Sequence, residues 1–205
     1  MLIPTDSETQ IYYLIIEYRS VFPSKLTGRP SYNIEPIRIP LKEGVTPVQS
    51  RARQYPPQKQ AFLSDTCAGL EGENLVRPIR SAEWVAAPLL VPKAPPAMYR
   101  MTGDLRPMND ATVKELRPMP NMEMMLEVQK AHFCAQIDMG HAYSQVSIHP
   151  KDRCKHTCRG ADSHTVCEPP RSLQGVKFSG THLQAGSTKA AKDILPKNVL
   201  IWFDD

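Results

Sequence analysis

The chain has no long apolar run. Its most hydrophobic stretch, Ile11-Tyr12-Tyr13-Leu14-Ile15-Ile16, is far shorter than the roughly 20 residues that a membrane-spanning helix needs. No basic segment precedes it; Asp6 and Glu8 stand where a secretory leader would carry positive charge. The expectation is therefore an intracellular chain with no secretion signal and no membrane partner. Cysteine is sparse and odd in number, at five, which fits a reducing compartment better than a disulfide framework. No internal repeat or low-complexity tract is present, which excludes solenoids and arrays. Strong charge of one sign is also missing. A net charge of +4 and a pI near 8.8 are compatible with a polyanionic partner without demanding one.

Proline is what the chain has in excess. Its 20 prolines in 205 residues are roughly twice the usual share of about 5%. Such a sequence favours short strands and irregular connections, because proline cannot donate to a ladder. Hydrophobic residues make up 41%, enough for a core, and the length suits one sizeable domain or two small ones.

Along the chain, Glu8 to Phe22 reads as a short helix ended by Pro23. Residues 23–57 carry seven prolines and read as an extended arm. Gln58 to Leu75 looks helical, with Phe62, Leu63, Thr66 and Leu70 near one face, although two glycines interrupt it. From Val76 to Pro120, short apolar runs alternate with prolines and read as edge strands or hairpins. Asn121 is placed to cap a helix over Met122 to Ala131, whose methionines suit core packing. Strands follow at 133–138, at 144–149, where Ser144, Val146 and Ile148 alternate with their neighbours, and at 198–203; a helix falls near 179–193. Helices interleaved with antiparallel-type strands indicate an α+β fold. The divisions are 1–57, an N-terminal helix and arm; 58–132, a middle region with a connecting helix; and 133–205.

Three constellations bear on chemistry. Asp138 ends the strand-like run Phe133 to Ile137, and Asp204-Asp205 follow the apolar run Val199-Leu200-Ile201. A lone aspartate at a strand end is ordinarily a solvated turn residue. Carboxylates at the ends of neighbouring strands, however, are how proteins hold two magnesium ions for phosphoryl transfer. Second, Cys154, His156, Cys158, His164 and Cys167 have a spacing superficially like a zinc knuckle, a compact nucleic-acid-binding module. A polar hairpin carrying cysteines explains the same residues. Third, Arg77, Arg80, Lys93, Arg100 and Arg106, interleaved with Trp84 and Tyr99, have the residue types that neutralise phosphates and stack bases, or else form a solvated basic face.

Five motifs in one order add a resemblance. "GLEGENLVRPIRSAEWVAAPLLVPK", "YRMTGDLRPMNDAT" with "RPMP", "AQIDMGHAYSQVSI", "SLQGVKFSGTHLQ" and "LIWFDD" resemble segments of reverse transcriptases, especially those of gypsy-type LTR retrotransposons. They lie within 69–120 and 133–205, about three fifths of the chain. The resemblance implies polymerase fingers at 58–132 and a partial palm with an antiparallel sheet at 133–205. It implies an RNA-directed DNA polymerase, a nucleotidyltransferase cut from a retrotransposon polyprotein. Its partners would be an RNA or DNA template-primer and deoxynucleoside triphosphates, and its setting the cytoplasm or a virus-like particle.

Residue by residue, the resemblance makes Asp138, Asp204 and Asp205 catalytic ligands of two Mg2+ ions, with the Met139 carbonyl completing a shell. Lys93 and Arg100 would grip the triphosphate, Tyr143 would form the floor under the incoming sugar, and Gln174 would lie along the nucleotide. Trp202 stands where the family commonly has tyrosine, and Phe203 fills its variable position. The family's returning strand, the rest of its palm, its thumb and its RNase H domain have no counterpart in these residues. The expectation is thus a fragment whose catalysis is impaired by truncation, with a non-catalytic remnant and the zinc module as alternatives.

Overall fold

Short elements joined by many extended segments are what the proline content dictates. The computed structural model describes residues 5–21, 31–95, 98–114, 135–162, 164–195 and 201. The elements are α1 (Thr5–Glu17), α2 (Pro57–Gly72), β1 (Arg77–Ile79), β2 (Pro88–Pro92), β3 (Tyr99–Gly103), α3 (Arg106–Ala111), β4 (Cys158–Arg159), β5 (Val166–Glu168) and α4 (Ser179–Ala190). The 3-10 turns Arg19–Val21, Ala142–Gln145 and Pro150–Lys155 complete the set named here.

Local chemistry accounts for the ends of α2. Pro57 opens it, where a missing N–H costs nothing. Asn74, at φ 56°, closes it in the left-handed region, while the Glu73 N–H donates to the Gly69 carbonyl at 3.0 Å. Leu63 is buried, and the Phe62 ring meets the Tyr99 ring edge-on at 5.5 Å, so α2 packs on the hairpin β2–β3. In that antiparallel hairpin, Pro88 pairs with Gly103 and Pro92 with Tyr99.

Two layers of pairing build the core. In the first, β1, β5 and β4 form a sheet, and β4 continues through Ala86 and Val85 to residues 48–50. The Ala86 N–H donates to the Thr157 carbonyl at 2.9 Å, and the Ser50 N–H to the Val85 carbonyl at 2.8 Å. In the second, residues 146–148 lie between two segments distant in sequence. The Ile37 N–H donates to the Ser147 carbonyl at 2.9 Å on one side, and the Ile148 N–H to the Pro170 carbonyl at 3.0 Å on the other. The apolar cluster of Ile37, Ile39, Trp84, Leu105, Met108, Val146, Ile148, Val176 and Leu183 fills the space between these pairings.

Several expectations change. The described part of the 23–57 arm does not stand apart: Ile37 and Ile39 are among the most buried side chains. Its prolines break ladders but leave single bridges to Ile148, Thr112 and Val85. Residues 135–138 carry no strand; they are exposed and irregular, because nothing described pairs with them. The 144–149 strand starts as a 3-10 turn and pairs only through isolated bridges, although the alternation holds, with Val146 and Ile148 fully buried. The C-terminal helix ends at Ala190, short of 193. The helix over 122–131 lies outside the described residues, as does the 198–203 strand apart from Ile201. Among the described residues, no helix is long and apolar enough to cross a membrane.

Two stability predictions follow from this packing. A Cβ at Gly186 of α4 would lie 2.5 Å from Ile34 Cγ2, whereas one at Gly69 of α2 would meet nothing within 4 Å. Gly69→Ala should therefore stabilise by about 0.5–1 kcal/mol through helix propensity. Gly186→Ala should destabilise by about 1–2 kcal/mol, because overpacking outweighs that gain. Urea midpoints of the two variants measure both; equal shifts of the same sign would refute the close approach.

His156 is fully buried, and burial depresses its imidazole to about 4. Nε2 accepts from the Leu173 N–H at 3.2 Å, so the ring stays neutral. The unfolded chain takes up that proton near the ordinary value of 6.5. Between these two values the unfolded state binds more protons, so stability falls as pH falls, by about 3 kcal/mol in all. His156→Gln, which can still accept from Leu173, should flatten the pH dependence of the unfolding midpoint between pH 6.5 and 4. An unchanged slope would place the titration elsewhere.

Candidate nucleotide pocket and its surroundings

Two turns, 31 residues apart by their central side chains Tyr143 and Gln174, come together at the start of α4. The first is entered through His141, a non-glycine residue at φ 52° and ψ 41°. That left-handed step turns the chain into the 3-10 turn Ala142–Gln145, and Gln145 Nε2 locks it by donating to the Gly140 carbonyl at 2.8 Å. The second turn pivots on Gly175, at φ 98°, a conformation that side-chain-bearing residues rarely adopt. Beyond it, Val176 and Phe178 are buried, which anchors the approach to α4.

A cavity of about 320 Å³ opens between the turns. Tyr143, Gln174, Gly175, Val176 and Lys177 line it, together with Ser179, Gly180 and Thr181 from the first turn of α4. An aromatic residue and an amide-bearing residue thus meet a helix N-terminus in its lining. The unpaired N–H groups at such a terminus favour negative charge. Lys177 Nζ donates to the carbonyls of Asn109 and Thr112 at 3.0 and 3.1 Å, which ties its side chain to the end of α3. An aromatic face beside an anion-favouring terminus suits a ligand with a flat or ring-shaped part and a charged tail.

The other expected site residues lie as follows. Asp138 is exposed on the irregular segment that leads to the first turn, and Met139 packs against the core. Neither lines the cavity. Lys93 follows β2, its N–H donating to the Met98 carbonyl at 3.2 Å, and Arg100 lies on β3 opposite Val91. The period of two along a strand sets Lys93 and Arg100 on one face of the hairpin. Both are exposed, and neither lines the cavity. Asp204 and Asp205 lie outside the described residues.

The scattered basic residues divide into distinct roles. Arg77 pairs with Glu168 at 2.6 Å, and Arg106 with Asp104 at 2.7 Å. The hydrogen bond from Arg106 holds the Asp104 carboxyl below its ordinary pKa. Trp84 sits in the core and offers no surface to a base, while Tyr99 is engaged by Phe62 and by Lys59 Nζ, 5.5 Å from its ring centroid.

The zinc-knuckle arrangement does not form. Cys158 and Cys167 face each other across β4 and β5, Cys154 is exposed, and His156 is buried with Nε2 already bonded. The His164 N–H donates to Asp162 within a separate turn. Among the described residues, no three histidine, cysteine, aspartate or glutamate side chains gather in a metal-holding group. Burial raises the Cys158 and Cys167 thiols to about 12 and about 11, with nearby Cys67 adding to both, so they remain protonated near neutrality. Metal binding by thiols needs the opposite form.

Asn109 and Lys177 received no role from the sequence, although both lie inside motifs quoted for the resemblance. Asn109 Nδ2 donates to the Gly175 carbonyl at 2.7 Å, and Asn109 Oδ1 accepts from the Lys177 N–H at 3.0 Å. The available signal was a glycine turn flanked by polar residues; its partner, 66 residues earlier, had none.

No protein-family model matches the chain. Over 165 residues it is 26% identical to the retrovirus-related Pol polyprotein from transposon 297 of Drosophila melanogaster, which covers 75% of this chain and 15% of that protein. Over 147 residues it is 26% identical to an uncharacterized protein of Caenorhabditis elegans, covering 70% of this chain and 12% of that one. Its fold matches the crystal structure of prototype foamy virus protease-reverse transcriptase with a TM-score of 0.76 and 16% identity. It matches the foamy viral protease-reverse transcriptase in complex with an RNA/DNA hybrid with a TM-score of 0.78 and 16% identity. Each match covers 98% of this chain and 26% of the viral one. The chain therefore spans about an eighth to a quarter of the proteins it resembles. Within that span, it is similar in sequence to a retrovirus-related Pol polyprotein and in fold to a viral protease-reverse transcriptase.

Proposed function

We propose that this chain is the fingers and part of the palm of a gypsy-type reverse transcriptase, and that the cavity beside α4 receives the incoming deoxynucleoside triphosphate. The observation that carries this reading is the meeting of Tyr143 and Gln174 on one cavity at a helix N-terminus. The fold's match to a viral protease-reverse transcriptase supports it, and one such structure is a complex with an RNA/DNA hybrid.

In this reading the Tyr143 ring lies under the sugar and leaves no room for a 2′-hydroxyl. Gln174 aligns the nucleotide, and the α4 terminus favours its phosphates. Lys93 and Arg100, on one face of the hairpin, grip the triphosphate from the fingers; the arginine fork suits phosphate oxygens. Asp138 is exposed and presents the hard oxygen donors that magnesium takes. Together with Asp204, Asp205 and the Met139 carbonyl it would hold two ions. Magnesium, when bound, lowers the pKa of the primer hydroxyl and neutralises charge on the departing pyrophosphate. The template-primer is bound through its phosphates, so its affinity falls with salt.

Nucleotide selection tests the reading directly. Titration of the chain with magnesium complexes of dTTP and of the matching ribonucleotide should show tighter binding of the deoxy form. Tyr143→Ala should reduce that preference by about tenfold, in the range a single steric contact supplies. Discrimination unaltered by the substitution would remove Tyr143 from the pocket floor. Asp138→Asn should weaken the magnesium-dependent part of binding and leave metal-free binding as it was; equal loss in both conditions would show a general defect instead.

A further inference from the structure

We propose that Asn109 is a positioning residue for this pocket: its side-chain amide clamps the Gly175 turn and so fixes Gln174 in the cavity wall. The inference rests on the nucleotide reading of that cavity. Asn109 reaches across from α3 with both ends of one planar group. Nδ2 donates to the Gly175 carbonyl at 2.7 Å, and Oδ1 accepts from the Lys177 N–H at 3.0 Å. These are the carbonyl and the N–H on either side of Val176, so the amide acts on the turn as a neighbouring strand would. The two partners also settle the amide's orientation, since only one assignment satisfies a carbonyl and an N–H together.

The clamp is reciprocal. Lys177 Nζ donates back to the Asn109 carbonyl at 3.0 Å and to the Thr112 carbonyl at 3.1 Å. Its base is rigid as well. The Asn109 N–H donates to the Leu105 carbonyl at 2.8 Å, Leu105 and Met108 are buried, and Thr112 Oγ1 donates to the Met108 carbonyl at 2.7 Å. The turn needs such a hold. Gly175 at φ 98° is a residue with wide conformational freedom, directly after Gln174. Without the clamp, Val176 anchors the far side of the turn, but nothing described fixes the Gly175 carbonyl. Leu173, bonded to His156 Nε2, holds the chain before Gln174; a loosened Gly175 peptide shifts the side after it, and small misplacements at a binding site cost disproportionately.

The chemistry separates two substitutions. Asn109→Ala removes both bonds. Asn109→Asp keeps the acceptor for the Lys177 N–H and sets a carboxylate oxygen against the Gly175 carbonyl. In the full chain, amide hydrogen exchange at Lys177 should accelerate about tenfold or more in Asn109→Ala and stay near the original rate in Asn109→Asp. The Val146 and Ile148 amides serve as controls and should not change. Affinity for magnesium dTTP should fall about tenfold in both variants, and Asn109→Ala should add little to a Gln174→Ala background, as expected for residues acting as one unit.

A Lys177 amide equally protected in Asn109→Ala overturns the clamp. A loosened turn with undiminished dTTP affinity overturns its positioning role, as does full additivity with Gln174→Ala. If the unsubstituted chain does not bind dTTP, the nucleotide reading fails and the assigned role fails with it, while the exchange arm still decides whether Asn109 holds the turn.

Discussion

Residues 146–148 are shared by two pairings, and the rest of the described fold is arranged around them. On one side their backbone bonds Ile37; on the other it bonds Pro170 and Ser172, with the Ser172 N–H donating to the Val146 carbonyl at 2.8 Å. Val146 and Ile148 are fully buried between these segments. A chain so rich in proline cannot build a long ladder, so single bridges from distant segments replace one. Each bridge contributes little alone. Together they bring the 31–41 segment, the 142–148 turn and the approach to α4 into one core. Ile34 then reaches α4 closely enough that a Cβ at position 186 would displace it, and His182 Nε2 bonds the Glu35 carbonyl at 2.5 Å.

Charge reinforces the same junction. Asp152 is nearly fully buried, yet Arg38 Nε and Lys155 Nζ reach it at 2.6 and 2.5 Å, and the Ile39 N–H at 3.3 Å. Burial pushes its carboxyl up, but the hydrogen bonds from Lys155 and Arg38 outweigh that and leave its pKa below the ordinary value. Lys155 also donates to the Ile39 carbonyl at 2.8 Å. One carboxylate therefore ties the extended segment to the 3-10 turn Pro150–Lys155. Removing either cation would leave a buried negative charge short of a partner, which is costlier than the pair is stabilising. His156 and Thr157 follow directly, both buried, and Thr157 Oγ1 bonds the Trp84 carbonyl. The two layers of pairing meet there.

Elements whose signal is local were legible in the sequence. Apolar spacing over Phe62, Leu63, Thr66 and Leu70 marked α2, and proline-bounded apolar runs marked the β2–β3 hairpin. Alternation at 144–149 identified the buried face without revealing that its partners are 37 and 170–172. A period of two assigns faces, but it does not choose a neighbour. The same limit explains the arm. Its prolines indicated an extended segment, and nothing local showed that Ile37 and Ile39 are core residues with a partner more than 100 positions away. The cysteines misled in the opposite sense. Their spacing suggested one metal site, but β4 and β5 use Cys158 and Cys167 as facing sheet residues, and the 3-10 turn leaves Cys154 outside.

The candidate site divides along the same physical line. Tyr143 and Gln174 could be named from motifs because each lies in a short segment with its own local geometry, a left-handed step at His141 and a glycine turn at Gly175. Neither segment holds its own position. The Tyr143 turn depends on Val146 and the core below it, and the Gln174 turn on Asn109, which reaches it across the fold from α3. The motifs thus drew attention to residues that line the cavity and gave no role to those that hold its wall in place. Those residues are joined through backbone carbonyls and N–H groups, which nearly every residue other than proline possesses and which leave no mark in the sequence. For this reason Asn109, although it lies within a quoted motif, acquires a role only once the carbonyl and N–H that it bonds are known.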